Sequence, residues 1–152
     1  MESIERATLD DVASLAGLLA ILFTQEADFA ADGSKQERAL RAMIEKPETG
    51  VIFIARNGSV PAGMISLLFT ISTAEGGPAC WLEDMVLHPD WRNGGLGTRL
   101  LQHAIDWARN HGFSRISLLT DKANEGAIRF YQRQGFTESA MTVLRLSLPH
   151  RD

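Results

Sequence analysis

A glycine-rich turn is the part of this sequence with the clearest chemical meaning. It lies between an apolar run, Trp81–Leu87, and an amphipathic segment, Leu96–Ala108. A turn that leads from a strand into a helix points several backbone N–H groups at one place, and the positive end of the helix dipole adds to their field. The sequence therefore predicts an anion site, and so tight a turn favours a phosphate or a pyrophosphate. The turn consists of Arg92, Asn93, Gly94, Gly95, Leu96, Gly97 and Thr98.

Two adjacent acids, Glu83 and Asp84, interrupt the apolar run before this turn. An unpaired carboxylate is costly to bury, so two of them within an apolar strand are unusual. Such a carboxylate can accept a proton in acid–base catalysis, directly or through a water molecule. In a regular strand the two side chains point to opposite faces, unless a β-bulge intervenes. The structural alternative is that one acid pairs with an arginine or a helix end while the other reaches solvent.

Two common nucleotide-binding patterns fit the turn poorly. A P-loop needs a lysine followed by serine or threonine after its second glycine, and no lysine stands there. A dinucleotide fingerprint needs a third glycine, and Leu100 occupies that position. That fingerprint also follows the first strand of its fold, whereas this turn follows four predicted strands. The pattern that remains is Arg-x-x-Gly-x-Gly, which begins at Arg92.

Composition and charge limit the kinds of protein this can be. The chain has 152 residues, which predicts a single domain, 1–152, and its 45% apolar and 22% charged residues are ordinary for a globular protein. A formal net charge of −4 without a dense basic run argues against nucleic-acid binding. With no signal peptide and no apolar stretch near the ~20 residues of a membrane span, we expect a cytoplasmic protein that does not enter a membrane. Cys80 is the single cysteine and no Cys/His cluster has metal-ligand spacing, so we expect neither an intramolecular disulfide nor a metal.

Hydrophobic periodicity and turn residues predict the elements that must position these groups. The helices are expected at Leu9–Phe23 after an N-cap at Thr8, between a cap at Ser34 and Pro47, at Leu96–Ala108, and at Asn124–Gln134 before Gly135. The strands are expected at Ile4–Ala7, Val51–Ala55, Val60–Ser72, Cys80–Leu87 and Ile116–Thr120, at Phe136, and at Met141–Leu148. Asn57-Gly58 predicts a hairpin turn.

The order of these elements predicts a mixed α/β (α+β) domain around one sheet. A helix connects the strands at Trp81 and Ile116, which makes them parallel neighbours, whereas the hairpins are antiparallel. We expect a mostly antiparallel sheet of six to seven strands with helices on both faces.

With these motifs in this order, the chain resembles the GCN5-related N-acetyltransferase (GNAT) superfamily, whose members take acetyl groups from acetyl-CoA. The resemblance covers nearly the whole chain. One hallmark is the turn that begins at Arg92, and the other is the segment 124–136, in which an asparagine is followed by Phe130-Tyr131 and then by Gly135-Phe136. The resemblance also implies the GNAT fold, with one sheet and helices in the order described above.

The resemblance assigns a set of residues to the cofactor. Arg92, Gly95 and Gly97 correspond to the family's pyrophosphate loop, in which backbone N–H groups from Asn93 to Thr98, Gly94 and Leu96 included, wrap the phosphates. The preceding strand would pair with the pantetheine arm through the backbone of Met85, Val86 and Leu87. Asn124 would bond the same arm, and a role as helix N-cap is equally compatible with its position.

The resemblance also implies roles in the reaction. Tyr131, the only tyrosine of the chain, would donate a proton or a hydrogen bond to the departing thiolate. A phenol suits this role because its reference pKa of about 10 lies above the thiol's value of about 8.5. The structural alternative is that the ring packs against its neighbours while the hydroxyl bonds outward.

The strand Trp81–Val86 looks most like the Leu-Glu-Asp strand of diamine and polyamine acetyltransferases. That likeness implies that Glu83 assists amine deprotonation and that Asp84 lies at the amine. Glu26, Asp28 and Asp32 add weakly to the same picture, since this segment borders the acceptor site in the fold. A solvated acidic loop explains these three residues equally well.

We therefore expect an acetyl-CoA-dependent N-acetyltransferase that acts by direct transfer in a ternary complex on a primary amine, above all a small cationic one. A peptide or protein amine as acceptor, and a non-catalytic acyl-CoA-binding module, remain as alternatives. A covalent route through Cys80 lacks the partners of a triad. The resemblance also implies a homodimer through the C-terminal strands, since the fold has exposed strand edges there.

Overall fold

The computed structural model describes residues 1–25 and 32–149, and the chain divides into two compact units. The first unit is Met1–Leu119 and the second begins at Thr120. Within the described residues, the first unit contains a five-stranded sheet with three α-helices, and the second contains one α-helix. No helix in this described part is long and apolar enough to cross a membrane.

The strands of the first unit form one sheet in the order β1-β2-β3-β4-β5. Their bounds are β1 Glu2–Arg6, β2 Gly50–Asn57, β3 Val60–Ser72, β4 Gly77–Leu87 and β5 Ile116–Leu118. The first three pairings are antiparallel and β4 pairs with β5 in parallel, as the helical crossover predicted. The predicted hairpin joins β2 to β3, and Gly58 in its turn has a φ of +62°.

The expectation of six to seven strands is wrong for the described chain, which has five. Residues 137–149 form no strand, and Leu144, Leu146 and Leu148 are 91, 84 and 79% exposed. These leucines fit the period-2 pattern of a strand, but a strand also needs a neighbouring backbone to complete its hydrogen bonds, which a sequence pattern does not supply. Phe136 belongs to a helix end, because its N–H donates to the carbonyl of Tyr131 at 3.1 Å.

The four helices lie close to their expected positions. Their bounds are α1 Val12–Gln25 after a 3₁₀ turn at Leu9–Asp11, α2 Gly33–Glu45, α3 Leu96–Asn110 and α4 Glu125–Arg133. The expected cap of α2 at Ser34 is wrong, because Asp32 is the N-cap. Its Oδ1 accepts from the backbone N–H groups of Ser34 at 3.2 Å and Lys35 at 3.4 Å. A carboxylate one position before the helix reaches both donors, whereas a serine inside the first turn does not.

The two faces of the sheet carry different cores. On one face, residues of α1 and α2 pack with side chains of β2, β3 and β4, among them Ile54, Met64 and Val86. On the other face, α3 packs through Trp107, which stacks on Phe69 with ring centroids 5.6 Å apart. The glycine turn leads into α3, on the face opposite α1 and α2.

Candidate functional site

The glycine turn has the backbone geometry of an anion-binding loop. After β4 the chain makes a 3₁₀ turn at Pro89–Trp91, and then Asn93 and Gly95 take left-handed conformations with φ of +66° and +85°. Asn93 is the one non-glycine residue with a positive φ in the described chain. A left-handed residue other than glycine costs roughly 1–3 kcal/mol, and such strain concentrates at functional sites. The conformation turns successive N–H groups toward one side of the loop.

The start of α3 leaves its N–H groups available. Gly95 is the N-cap and has no side chain with which to accept from them. The first backbone bond of the helix runs from the N–H of Arg99 to the carbonyl of Gly95 at 3.2 Å. The N–H groups of Leu96, Gly97 and Thr98 precede that bond, so they are the donors that a helix start directs outward. This arrangement fits a phosphate group.

Arg92 contributes a positive charge to the same loop. Its side chain is exposed, and its Nε donates to the carbonyl oxygen of Leu87 at 3.2 Å. That bond holds the guanidinium at the end of β4, just before the left-handed turn. The loop therefore has a guanidinium beside the helix N-terminus.

A β-bulge displaces the acidic pair from regular strand geometry. Leu82 pairs with Leu67 and Asp84 pairs with Ser66, so Glu83 is an extra residue without a partner of its own on β3. The backbone N–H of Asp84 donates to the Oγ of Ser66 at 3.2 Å. Ser66 is 1% exposed, so a buried hydroxyl replaces the missing ladder acceptor at the bulge.

The bulge brings the two carboxylates to one face of the sheet. The partners of Trp81 and Asp84 are Leu68 and Ser66, which are two residues apart on β3 and therefore share a face. Alternation from Trp81 places Glu83 on this face as well. Without the bulge, Glu83 and Asp84 would have pointed to opposite faces.

The shared face is the one that α1 partly covers. Val86 lies two residues beyond Asp84 and is buried in the core with α1. Trp81, toward the other end of β4, is 40% exposed, and Glu83 is exposed as well. An indole and two carboxylates thus lie along one stretch of strand, where they can attract a cation.

The edge of β4 near the bulge is open. Parallel pairing with β5 covers only Cys80, Trp81 and Leu82. From Glu83 to Leu87 no strand in the described part of the chain pairs with that side of β4. The expected pantetheine contacts at Met85, Val86 and Leu87 fall on this stretch, whose backbone groups are the kind that bond an amide-bearing ligand.

Asn124 and Tyr131 belong to the second unit, in and beside α4. Asn124 is the N-cap, and its Oδ1 accepts from the N–H of Ala127 at 3.1 Å. The ring of Tyr131 lies edge-on to Phe130 and Phe136, with centroids 5.3 and 5.6 Å away. The capping role of Asn124 is therefore confirmed, and the ligand roles of both residues stay predictions.

The early acidic segment is accounted for only in part. Glu26 and Asp28 lie outside the described residues. Asp32 caps α2, and its pKa is lowered because the Ser34 hydroxyl, followed by the backbone N–H of Lys35, donates to the carboxylate. Asp32 therefore has a structural role as the N-cap of α2, and its expected role near the acceptor amine stays a prediction.

Cys80 has the properties of a core residue. It is 1% exposed, and burial raises the pKa of its thiol to about 11. A thiol that stays protonated at neutral pH is a poor nucleophile. Cys80 is thus a poor candidate for a covalent acetyl-cysteine route.

The sequence-based predictions gave no functional role to three residues of this region, namely Ser66, Trp81 and Arg99. Ser66 gave one weak signal, as a polar residue inside an apolar strand. Arg99 lies one helical turn after Gly95, a spacing that returns its side chain to the loop. The exposure of Trp81 depends on how far α1 covers the sheet, so it has no local signal.

Known proteins resemble this chain over most of its length. A family model described as the acetyltransferase (GNAT) family matches residues 18–136. The aminoalkylphosphonate N-acetyltransferase of Salmonella typhimurium is 30% identical over 138 residues, which cover 90% of this chain and 85% of that protein. An uncharacterized N-acetyltransferase of Methanocaldococcus jannaschii is 32% identical over 97 residues, 63% of this chain, and the match spans 42% of the length of that relative. A solved integron cassette protein from Cole Harbour Salt Marsh superposes with a TM-score of 0.84 at 28% identity, covering 97% of this chain and 91% of that one.

Proposed function

We propose, since the chain belongs to the acetyltransferase (GNAT) family, that it transfers the acetyl group of acetyl-CoA to a small cationic amine. Membership of the family makes the chain a GNAT-type acetyltransferase. The observation that carries the choice of acceptor is the bulge in β4, which brings two carboxylates to the face that carries the exposed indole of Trp81. The relative from Salmonella typhimurium, named for an aminoalkylphosphonate, supports a small amine.

The acetyl donor, acetyl-CoA, would bind at the glycine turn and along the open edge of β4. The N–H groups of Leu96, Gly97 and Thr98 would hold the pyrophosphate together with Arg92, because a helix start and a guanidinium both favour an anion. The backbone of Met85–Leu87 would bond the amide-bearing arm. Acetyl-CoA, when bound, supplies an acetyl group that is activated as a thioester.

The acidic pair would remove a proton from the acceptor amine. An alkylamine with a reference pKa of about 10.4 is almost entirely protonated at pH 7, and only its neutral form attacks a carbonyl carbon. Glu83, with Asp84 beside it, would take that proton directly or through water. As the new C–N bond forms and the C–S bond breaks, Tyr131 would give a proton to the sulfur. This role of Tyr131 rests on its place in the Phe130-Tyr131 motif.

A panel of acceptors tests this proposal. Release of free thiol from acetyl-CoA is measured with diamines, polyamines, aminoalkylphosphonates, amino acids, aminosugars and peptides. We expect the highest kcat/KM with a small cationic amine. A peptide as the best acceptor would contradict the acceptor class, and CoA binding without thiol release from any amine would support a non-catalytic module.

Variants of the acidic pair test the assignment of the base. Glu83→Gln and Asp84→Asn should each lower kcat at pH 7, and the variant that removes the base should lose about 10²-fold or more. Glu75→Gln is the matched control, because Glu75 is an acid of the β3–β4 turn that pairs with Arg115 at 3.7 Å. Equal activity of all three variants would remove the acidic pair from the reaction.

A further inference from the structure

Arg99 is a second cation at the glycine turn. It lies on α3 four residues after Gly95, and helical side chains lean toward the N-terminus of their helix. Its Nη1 lies 3.2 Å from the point that a Cβ on Gly95 would occupy. The guanidinium therefore lies beside Gly95, next to the space that a side chain at this position would take.

A carboxylate that is distant in sequence binds this guanidinium. Nη2 of Arg99 donates to Oε2 of Glu2, a residue of β1 that is 97 positions away in sequence. Both side chains are partly exposed, at 50% for Arg99 and 37% for Glu2. A carboxylate of the protein thus binds the guanidinium that lies beside Gly95.

We infer that Arg99 binds the pyrophosphate of the cofactor and that Glu2 is the exchangeable counter-ion of Arg99. This inference rests on the proposed function, because it requires that the turn holds acetyl-CoA. Glu2 competes with the pyrophosphate for the same guanidinium. When the cofactor binds, Arg99 exchanges its hydrogen bond to the carboxylate for bonds to the phosphate oxygens.

Energetics favour such an exchange. An exposed ion pair contributes only about 0–1 kcal/mol, so little is lost when Arg99 leaves Glu2. A pyrophosphate carries more negative charge than one carboxylate, and guanidinium bonds to phosphate are of the strong, charge-assisted kind. The helix N-terminus under the guanidinium adds to the attraction.

Another arginine of α3 provides a matched control. Arg109 lies in the last turn of the helix and pairs with Asp106 at 3.0 Å, so it is also an exposed arginine with a carboxylate partner. Ten residues separate it from Arg99, which is about 15 Å along a helix. Changes at Arg109 therefore alter the charge of the helix without altering the turn.

The two partners should change cofactor affinity in opposite directions. Isothermal titration calorimetry measures the Kd of CoA, of 3′-dephospho-CoA and of pantetheine, which has no phosphate. Arg99→Gln should weaken both CoA and dephospho-CoA about tenfold or more, while Arg99→Lys keeps part of the affinity. Glu2→Gln should strengthen both by a factor of roughly two to five. Arg109→Gln and Asp106→Asn should leave every Kd unchanged, and pantetheine should show no dependence on Arg99.

The possible outcomes separate this inference from the proposed function. If wild-type protein does not bind CoA, the proposed function fails and takes the inference with it. If wild-type protein binds CoA and Arg99→Gln binds it equally well, or Glu2→Gln binds it more weakly, only the inference is overturned. An effect of Arg99→Gln on CoA alone, with dephospho-CoA unaffected, also overturns it, because the contact would then be to the 3′-phosphate.

Discussion

At the scale of single residues, type and spacing predicted the loop but not its surroundings. The spacing of Arg92, Gly95 and Gly97 predicted a tight turn before a helix, and the structure contains this turn. Ser66 and Trp81 became visible only in the structure, because each matters through a strand partner or through exposure. Local sequence carries neither kind of information.

Substitution of Tyr131 by phenylalanine tests the proton donor. Tyr131→Phe keeps the ring contacts with Phe130 and Phe136 and removes only the hydroxyl. We expect kcat to fall about 10²-fold while the Kd of acetyl-CoA stays within a factor of two. Steady-state kinetics and calorimetry measure the two quantities. Unchanged kcat at every pH would remove Tyr131 from the reaction.

Substitution of Trp81 tests recognition of the cationic acceptor. Trp81→Leu removes the aromatic face, so the KM of the amine should rise by roughly 2- to 30-fold, with Trp81→Phe in between. The Kd of CoA should not change. Ile71→Ala serves as control, because Ile71 is an apolar residue of the same sheet that is 75% exposed. If Trp81→Leu and Ile71→Ala behave alike, Trp81 does not contact the acceptor.

At the scale of elements, the helices and the first five strands followed from periodicity, whereas the bulge did not. A bulge depends on the register of β4 against β3, and the two residues that define it, Ser66 and Asp84, are 18 positions apart. The two adjacent acids left a bulge open as a possibility, since a regular strand would place their side chains on opposite faces. The open edge of β4 likewise depends on β5 being three residues long.

Removal of the Ser66 hydroxyl tests the importance of the bulge for the reaction. Ser66→Ala removes the buried hydroxyl that accepts from the N–H of Asp84, which should cost about 1–3 kcal/mol of unfolding free energy. Because the carboxylates then shift, kcat should fall while the Kd of CoA stays unchanged. Ser59→Ala, at an exposed serine of the β2–β3 turn, is the control. Lower stability with unchanged kcat would mean that the hydroxyl supports the fold alone.

At the scale of the whole molecule, element order predicted the α/β fold up to α4. The prediction failed at Met141–Leu148, because alternation of apolar residues does not identify a partner for a strand. Ion pairs between residues far apart in sequence could not be predicted from local patterns either. Asp11 at the start of α1 binds Arg56 of β2 at 2.7 Å, across 45 positions of sequence.

The pair Asp11–Arg56 predicts a pH-dependent contribution to stability. Burial alone raises the pKa of Asp11, but bonds from the Thr8 N–H and from Arg56 outweigh it, so the pKa lies below its ordinary value. The contribution is therefore fully present above the pKa of the unfolded chain and is lost as the pH falls through the lower folded value. Asp11→Asn should lose about 2–4 kcal/mol of unfolding free energy at pH 7 and less at pH 3.

Urea denaturation of both proteins at several pH values measures this difference. Asp106→Asn is the control, since Asp106 forms an exposed pair with Arg109 and should change stability by less than about 1 kcal/mol. A loss for Asp11→Asn that is the same at pH 3 and pH 7 would contradict the role of the ionised carboxylate.

Acetyl transfer itself is tested most directly by following a labelled acetyl group. The protein is incubated with acetyl-CoA labelled in the acetyl group and with the best amine of the panel, and the products are analysed by mass spectrometry. The label should appear on the nitrogen of the amine in step with thiol release, and Gly95→Glu, which places a carboxylate in the phosphate loop, should give neither. Label on the protein instead of the amine, or full transfer by Gly95→Glu, would contradict direct transfer from a cofactor held by this loop.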